Sequence, residues 1–122
     1  MFAICLIDVK KSKFFLARDR FGIKPLYYAF LKEKLYFCSS QRVLSAILQF
    51  DKLDHTSVSN FRFRGFILGT DTINSDIKLL EGGQLLTGSL DLCSKKMAMT
   101  SFSYCSNRME NLIISNDLGR QN

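Results

Sequence analysis

Two short apolar runs, Phe14-Phe15-Leu16-Ala17 and Leu26-Tyr27-Tyr28-Ala29-Phe30, stand on either side of a charged corner, Arg18-Asp19-Arg20-Phe21-Gly22-Ile23-Lys24-Pro25. Runs this short and this rich in aromatic residues have the length of strands and not of helices. Gly22 can take a positive φ, and Pro25 fixes φ and removes a donor, so the chain must turn between the runs. The stretch therefore reads as strand, corner, strand, closing as a hairpin. Its corner carries two Arg, one Asp and one Lys, more chemistry than a connection requires. Arg18, Asp19, Gly22, Lys24, Pro25 and the adjoining Tyr27 are the candidate functional positions. Successive strand residues face opposite ways, so of Tyr27 and Tyr28 one is expected in the core and one at an interface.

The rest of the chain extends the same pattern. Met1 to Asp8 is apolar without alternation, the mark of a strand buried on both faces, and Cys5 within it reads as a core residue. So apolar a strand at residue one implies structure before it. Lys13 to Arg18, Leu26 to Phe30 and Leu35 to Cys38 follow, giving a four-stranded meander with a charged turn at Lys32-Glu33-Lys34. Ser39-Ser40 can cap a helix over 40–49, in which Val43, Leu44, Ile47 and Leu48 have helical spacing. A second helix is expected over 54–63, capped by Asp54 or Thr56, with Val58, Phe61 and Phe63 as apolar contacts. Beyond a loop over 65–72, Ile77, Leu79 and Leu80 anchor an irregular segment. Glu81-Gly82-Gly83 turns into a strand over 84–87, a turn spans 88–96, and a last strand covers 97–102. From Ser103 the pattern fades into a polar linker or tail.

The totals exclude several function classes. The 122 residues suit one domain or part of one, and 47% hydrophobic content is ordinary for a globular chain. No apolar run approaches the ~20 residues of a membrane helix, and Met1 to Val9 lacks a basic leader, so a cytoplasmic protein without membrane partners is expected. The net charge of +6 is spread along the chain with no run longer than the pair Lys10-Lys11, unlike a nucleic-acid footprint. Cys5, Cys38, Cys93 and Cys105 are too widely spaced for a zinc site, His55 is the single histidine, and a disulfide framework is not expected. No metal or cofactor site is expected, and His55 reads as a surface residue at a helix start.

The unbroken block Arg18-Asp19-Arg20-Phe21-Gly22-Ile23-Lys24-Pro25-Leu26-Tyr27-Tyr28 resembles the asparagine synthases that hydrolyse glutamine. It is similar to the second half of their N-terminal glutaminase domain. Related class II amidotransferases carry a similar Arg-Asp, Gly and Pro-Leu corner, and the Lys-Pro-Leu-Tyr-Tyr ending points to the asparagine synthase branch. Met1-Phe2-Ala3-Ile4 with Asp8, Leu35 to Leu44, Arg64-Gly65-Phe66, Asp71-Thr72-Ile73 and Ile77-Lys78 with Leu80 extend the resemblance to about residues 1–104. Two departures stand out. Ser39-Ser40 and Arg42 replace the family's Ser-Glu and following lysine, and Glu81-Gly82 replaces two prolines before the glycine matching Gly83.

The resemblance implies an α+β fold with antiparallel β-sheets and flanking helices, part of the αββα sandwich of the Ntn hydrolases. It implies residues 1–104 as a partial amidotransferase domain and 105–122 as linker or tail. In the family a first-residue cysteine attacks the glutamine amide with its own α-amine as base. A second domain uses ATP and Mg to activate aspartate and receives the released ammonia. No terminal nucleophile stands at Met1-Phe2, so no catalytic residue is expected in this chain, and ATP and Mg belong to the parent's synthetase domain. The implied partners are the other glutaminase half and that domain, with glutamine and aspartate as parent substrates and a homodimer of the parent left open. Within this picture Arg18 and Asp19 either clamp the corner or help shape the ammonia exit. An asparagine-synthase-like enzyme acting on sugar carboxylates, and a non-catalytic remnant or binding module, are the alternative readings. A half-sandwich would also leave one face of each sheet uncovered, and marginal stability or association is expected of it.

Overall fold

The computed structural model describes residues 1–91 and 96–103, the last strand by its backbone pairing. The expected tail over 105–122, Cys93 and Cys105 lie outside the described residues. The strands are β1 (Ala3–Asp8), β2 (Lys13–Arg18), β3 (Tyr27–Leu31), β4 (Lys34–Cys38), β5 (Lys78–Leu79), β6 (Gln84–Asp91) and β7 (Lys96–Ser103). Two helices, α1 (Gln41–Leu48) and α2 (His55–Arg64), lie between β4 and β5. The fold is α+β with antiparallel sheets.

The single meander does not form. One sheet has the order β1-β2-β6-β7, and a second has the order β4-β3-β5. β2 and β3 therefore do not pair, and the corner between them carries the chain from one sheet to the other. The reason lies in the side chains. β2 buries Phe14 and Leu16 on one face, and stacking that face against Tyr28 of β3 and Leu35 of β4 encloses Leu26, Leu80 and Leu86. Pairing β2 edge to edge with β3 would have left that face in water. A full sandwich spacing of ~10 Å must be crossed, which a two-residue turn cannot do.

A second core lies on the other face of the smaller sheet. Ala29, Leu44 and Ile77 are buried there, with Tyr27, Tyr36, Cys38, Leu48 and Phe50 packed around them. α1 supplies Leu44 and Leu48, and the layers run four-stranded sheet, three-stranded sheet, α1. Each face of the smaller sheet thus carries a core cluster, contrary to the expectation of one open face, although Phe30 and Phe37 on the Tyr28 face stay about two-fifths exposed. Tyr27 and Tyr28 do alternate, but both enter core clusters, one under α1 and one between the sheets. Burial pushes the Tyr28 phenol above its ordinary value.

The four-stranded sheet is less complete. β1 is its edge strand, and Ile4, Leu6 and Ile7 are each more than half exposed. Ala3, Cys5 and Ile7 oppose Arg18, Leu16 and Phe14 across the ladder and so share the inner face, but the smaller sheet covers only Ala3 of them. Cys5 is exposed instead of buried. The apolar run correctly signals a strand; its burial depends on neighbours that sequence periodicity does not supply. β6 continues four residues past the expected Thr87 because β2 pairs with it through Ser89 and β7 through Asp91, satisfying the backbone on both sides.

The helices start where expected. Asp54 caps α2, its Oδ1 accepting from the Thr56 N–H at 3.2 Å and its Oδ2 from the Ser57 hydroxyl at 2.6 Å. Ser40 occupies the N-cap of α1, yet its side chain makes no capping bond. Phe61 and Phe63 do not serve as core contacts: both are exposed, and Ser57 is the buried residue of α2. The segment after α2 is held by a buried polar knot. The Thr72 hydroxyl lies 2.8 Å from the carbonyl oxygens of Asn74 and Ile77, and Asn74 Nδ2 donates to the Phe50 carbonyl at 3.0 Å.

Candidate functional site

The corner between β2 and β3 brings together Arg18, Asp19, Gly22 and the Lys24 backbone, with Pro25 leading into β3, whereas Tyr27 packs under α1 and takes no part in the corner. Arg18 ends β2 with 8% of its surface exposed, and Asp19 follows at 5%. Long charged side chains are buried this deeply only when their polar atoms are engaged. Arg18 Nε donates to the Lys24 carbonyl at 2.7 Å and Nη2 to the Gly22 carbonyl at 2.5 Å. Its Nη1 donates to the carbonyl of Leu80, which is 62 residues further along. The planar guanidinium fork thus ties the end of β2, the corner and the exit from β5 together.

Asp19 performs the complementary task with acceptors. Its Oδ2 accepts from the Phe2 N–H at 3.3 Å, and Oδ1 from the N–H groups of Phe21 at 3.0 Å and Ile23 at 3.4 Å. Its own N–H donates to the Phe2 carbonyl, and its carbonyl accepts from Gly22 and Gly83. Desolvation pushes the Asp19 carboxyl upward, but the N–H groups of Ile23, Phe2, Lys24 and Phe21 together outweigh it and hold the group below its ordinary value.

Gly22 adopts φ +61°, and a Cβ there would stand 3.2 Å from the Arg18 guanidinium. Pro25 is half-buried, while the Lys24 side chain is exposed and contributes through its carbonyl. Glu81-Gly82-Gly83 returns the chain from the smaller sheet to β6 directly beside the corner. A Cβ on Gly82 would meet the Arg20 carbonyl oxygen at 2.7 Å and the Gly22 nitrogen at 2.9 Å. The two crossings are therefore pressed backbone to backbone, and the Leu80 N–H donates to the Leu26 carbonyl at 2.8 Å. From sequence Gly82-Gly83 reads as a simple turn; its docking against the corner is a feature of the folded chain. The signal in the sequence is Gly82 itself, at the second of the two places where the resembled pattern has prolines.

This arrangement positions backbone. The Arg18 donors face the carbonyls of Gly22, Lys24 and Leu80, and the Asp19 acceptors the amides of Phe2, Phe21 and Ile23, which is the geometry of a clamp. The outward surface of the corner is different: Phe21 is 81% and Ile23 54% exposed, and the Arg20 guanidinium sits 5.9 Å from the Phe21 ring centroid. Cys5 lies exposed on β1, and partial burial pushes its thiol above the ordinary value, the wrong direction for a nucleophile. Among the described residues no three His, Cys, Asp or Glu side chains converge as metal ligands. The Gly82-Gly83 turn is filled by the corner and offers no phosphate cradle. A shallow cavity of about 330 Å³ opens elsewhere, lined by Arg42, Ser45, Phe50, Asp51, Leu53 and Asn74 among others.

Comparison with known families decides what this clamp belongs to. The glutamine amidotransferase domain model matches residues 1–102, most of the chain. The chain belongs to the glutamine amidotransferase family. Its relatives include asparagine synthetase [glutamine-hydrolyzing] 2 of Bacillus subtilis, 54% identical over 44 residues, covering 36% of this chain and 6% of that protein. Asparagine synthetase [glutamine-hydrolyzing] 1 of the same organism is 29% identical over 87 residues, 71% of this chain and 14% of that protein. A putative asparagine synthetase [glutamine-hydrolyzing] 2 of Methanocaldococcus jannaschii is 32% identical over 94 residues, 75% of this chain and 18% of that protein. The amidotransferase chain thus matches less than a fifth of the length of each of these curated relatives. The family model reaches residue 102, all but the last residue of β7, so both sheets and the corner that joins them fall essentially inside the matched region. No helix among the described residues of the amidotransferase chain is long and apolar enough to cross a membrane.

Proposed function

We propose that the chain is the corner-bearing part of a glutamine-hydrolysing asparagine synthase that acts in the cytoplasm. In that enzyme glutamine hydrolysis supplies ammonia to ATP-activated aspartate, yielding asparagine, glutamate, AMP and pyrophosphate. The observation that carries the reading is the amidotransferase match over residues 1–102 together with relatives named as glutamine-hydrolysing asparagine synthetases. Residues 1–104 form amidotransferase scaffold, and the nucleophile, the glutamine-binding groups and the ATP and Mg site are contributed from outside these 122 residues. Arg18 and Asp19 hold the crossing between the sheets, and the exposed Phe21 and Ile23 face the adjoining part of the enzyme.

A chimera tests this. The 44-residue segment of the Bacillus subtilis asparagine synthetase 2 that aligns with this chain is replaced by the sequence found here. Glutamine-dependent asparagine formation is expected within about tenfold of the parent, equivalent to ~1.4 kcal/mol in the barrier. Loss of the glutamine-dependent reaction, with ammonia-dependent synthesis intact, overturns the reading. The purified chain itself is expected to release no glutamate from glutamine. Release that disappears on Cys5→Ala would overturn the scaffold assignment and also the reading as a non-catalytic module.

A further inference from the structure

The C-terminal turn of α2 presents an exposed aromatic and cationic surface. α2 packs side by side with no other described helix or strand, and it is held at its start by the Asp54 cap and the Asp54 N–H bond to the Ile73 carbonyl. Its last turn reads Phe61-Arg62-Phe63-Arg64 before the Gly65 C-cap. Phe63 is 90% exposed and Phe61 48% exposed, and Phe66 just beyond the cap is 54% exposed. Consecutive helix residues are ~100° apart, so Phe63 forms the ridge and Arg62 and Arg64 flank it on opposite sides. The one ion pair among the described residues joins Lys78 to Asp71, so neither guanidinium has a carboxylate partner there. The helix itself contains no Asp or Glu, so its last turn, with Arg62 and Arg64, is cationic.

An exposed aromatic ridge between two arginines that have no carboxylate partner among the described residues is the composition of a binding hot spot. We propose that the end of α2 docks onto a protein surface whose apolar centre is rimmed by Asp or Glu carboxylates, with Phe63 entering the centre and Arg62 and Arg64 pairing with the rim. A second copy of this chain is a poor occupant, because two such cationic ends on chains of net charge +6 repel. The inference does not depend on the proposed function.

The test uses the full chain and two fluorescein-labelled helical peptides. Each carries a leucine stripe, flanked in one by glutamate and in the other by lysine. Saturable binding of the glutamate-flanked peptide alone is expected. Phe63→Ala weakens it about tenfold or more, and R62E/R64E abolishes it while gaining binding of the lysine-flanked peptide. Both variants change exposed positions, and far-UV circular dichroism checks that the fold is kept. Absence of saturable binding, equal binding of both peptides, or insensitivity to both variants overturns the proposal. So does Phe63-dependent self-association, or tighter Phe63-dependent binding of a 15-mer thymidine oligonucleotide, since each assigns the surface to a different occupant.

Discussion

Arg18→Met separates a clamp from an incidental surface charge. Methionine keeps most of the apolar stem in the buried site and deletes the guanidinium. Three carbonyls, those of Gly22, Lys24 and Leu80, then lose a charged donor. A hydrogen bond to a charged group contributes roughly 1.5–3 kcal/mol net, but such losses are not additive, and two of these carbonyls lie near enough to the surface to regain water. A destabilisation of about 3–5 kcal/mol follows, a large share of the ~5–15 kcal/mol typical of a domain. Urea unfolding reads it by far-UV circular dichroism, since the chain has no tryptophan. With m of about 2 kcal/mol/M the midpoint drops by roughly 2 M. Arg18→Lys should recover no more than about half, because one ammonium cannot serve three carbonyls in fork geometry. A loss below ~1 kcal/mol, or full recovery by lysine, would refute the clamp.

Three further outcomes follow from the same structure. Gly82→Ala places a methyl 2.7 Å from the Arg20 carbonyl oxygen and is expected to cost about 1–3 kcal/mol in the same unfolding assay. Lys32 and Glu33 link β3 to β4 with φ of +49° and +59°, the turn geometry that asparagine and glycine adopt at least cost, so Lys32→Asn with Glu33→Gly should stabilise by about 1 kcal/mol and raise Tm. The Asp19 carboxyl, pushed up by desolvation but pulled down further by its four N–H donors, and the Asp54 carboxyl, lowered chiefly by the Ser57 hydroxyl, both lie below the ordinary 3.8. Folded-state values below the unfolded ones add stability that is present above pH ~4 and lost as pH falls through the lower values. Tm measured from pH 6 downward should therefore be flat to about 4 and then fall, with a shallower acid limb in Asp19→Asn.

Much of the local structure was legible in the residues. The 13–18 strand has the bounds its apolar run indicates, α1 and α2 begin within a residue or two of their polar caps, and Gly22 takes the positive φ that its place in the corner demands. These features depend on near neighbours, where propensity and capping act. The pairing of strands was not legible. Whether β2 lies beside β3 or beside β6 turns on which side chains can enclose Leu26, Leu80 and Leu86, and that is a property of the assembled sandwich.

The corner shows the same division. Its composition draws attention to Arg18 and Asp19, which the structure buries among backbone partners. It could not name those partners, since the Leu80 carbonyl is 62 positions away from Arg18 and the Phe2 N–H is 17 away from Asp19. Nor could it show that Gly82 must lack a side chain. Sequence alone determined where β1 to β4 and the two helices lie and the charge of the corner that joins the sheets. Tertiary structure decided that β1 is an exposed edge, that Phe63 stands in solvent, and that the charged corner is a clamp between two sheets. Burial and hydrogen bonding belong to contacts between distant segments, and only the folded chain brings those segments together.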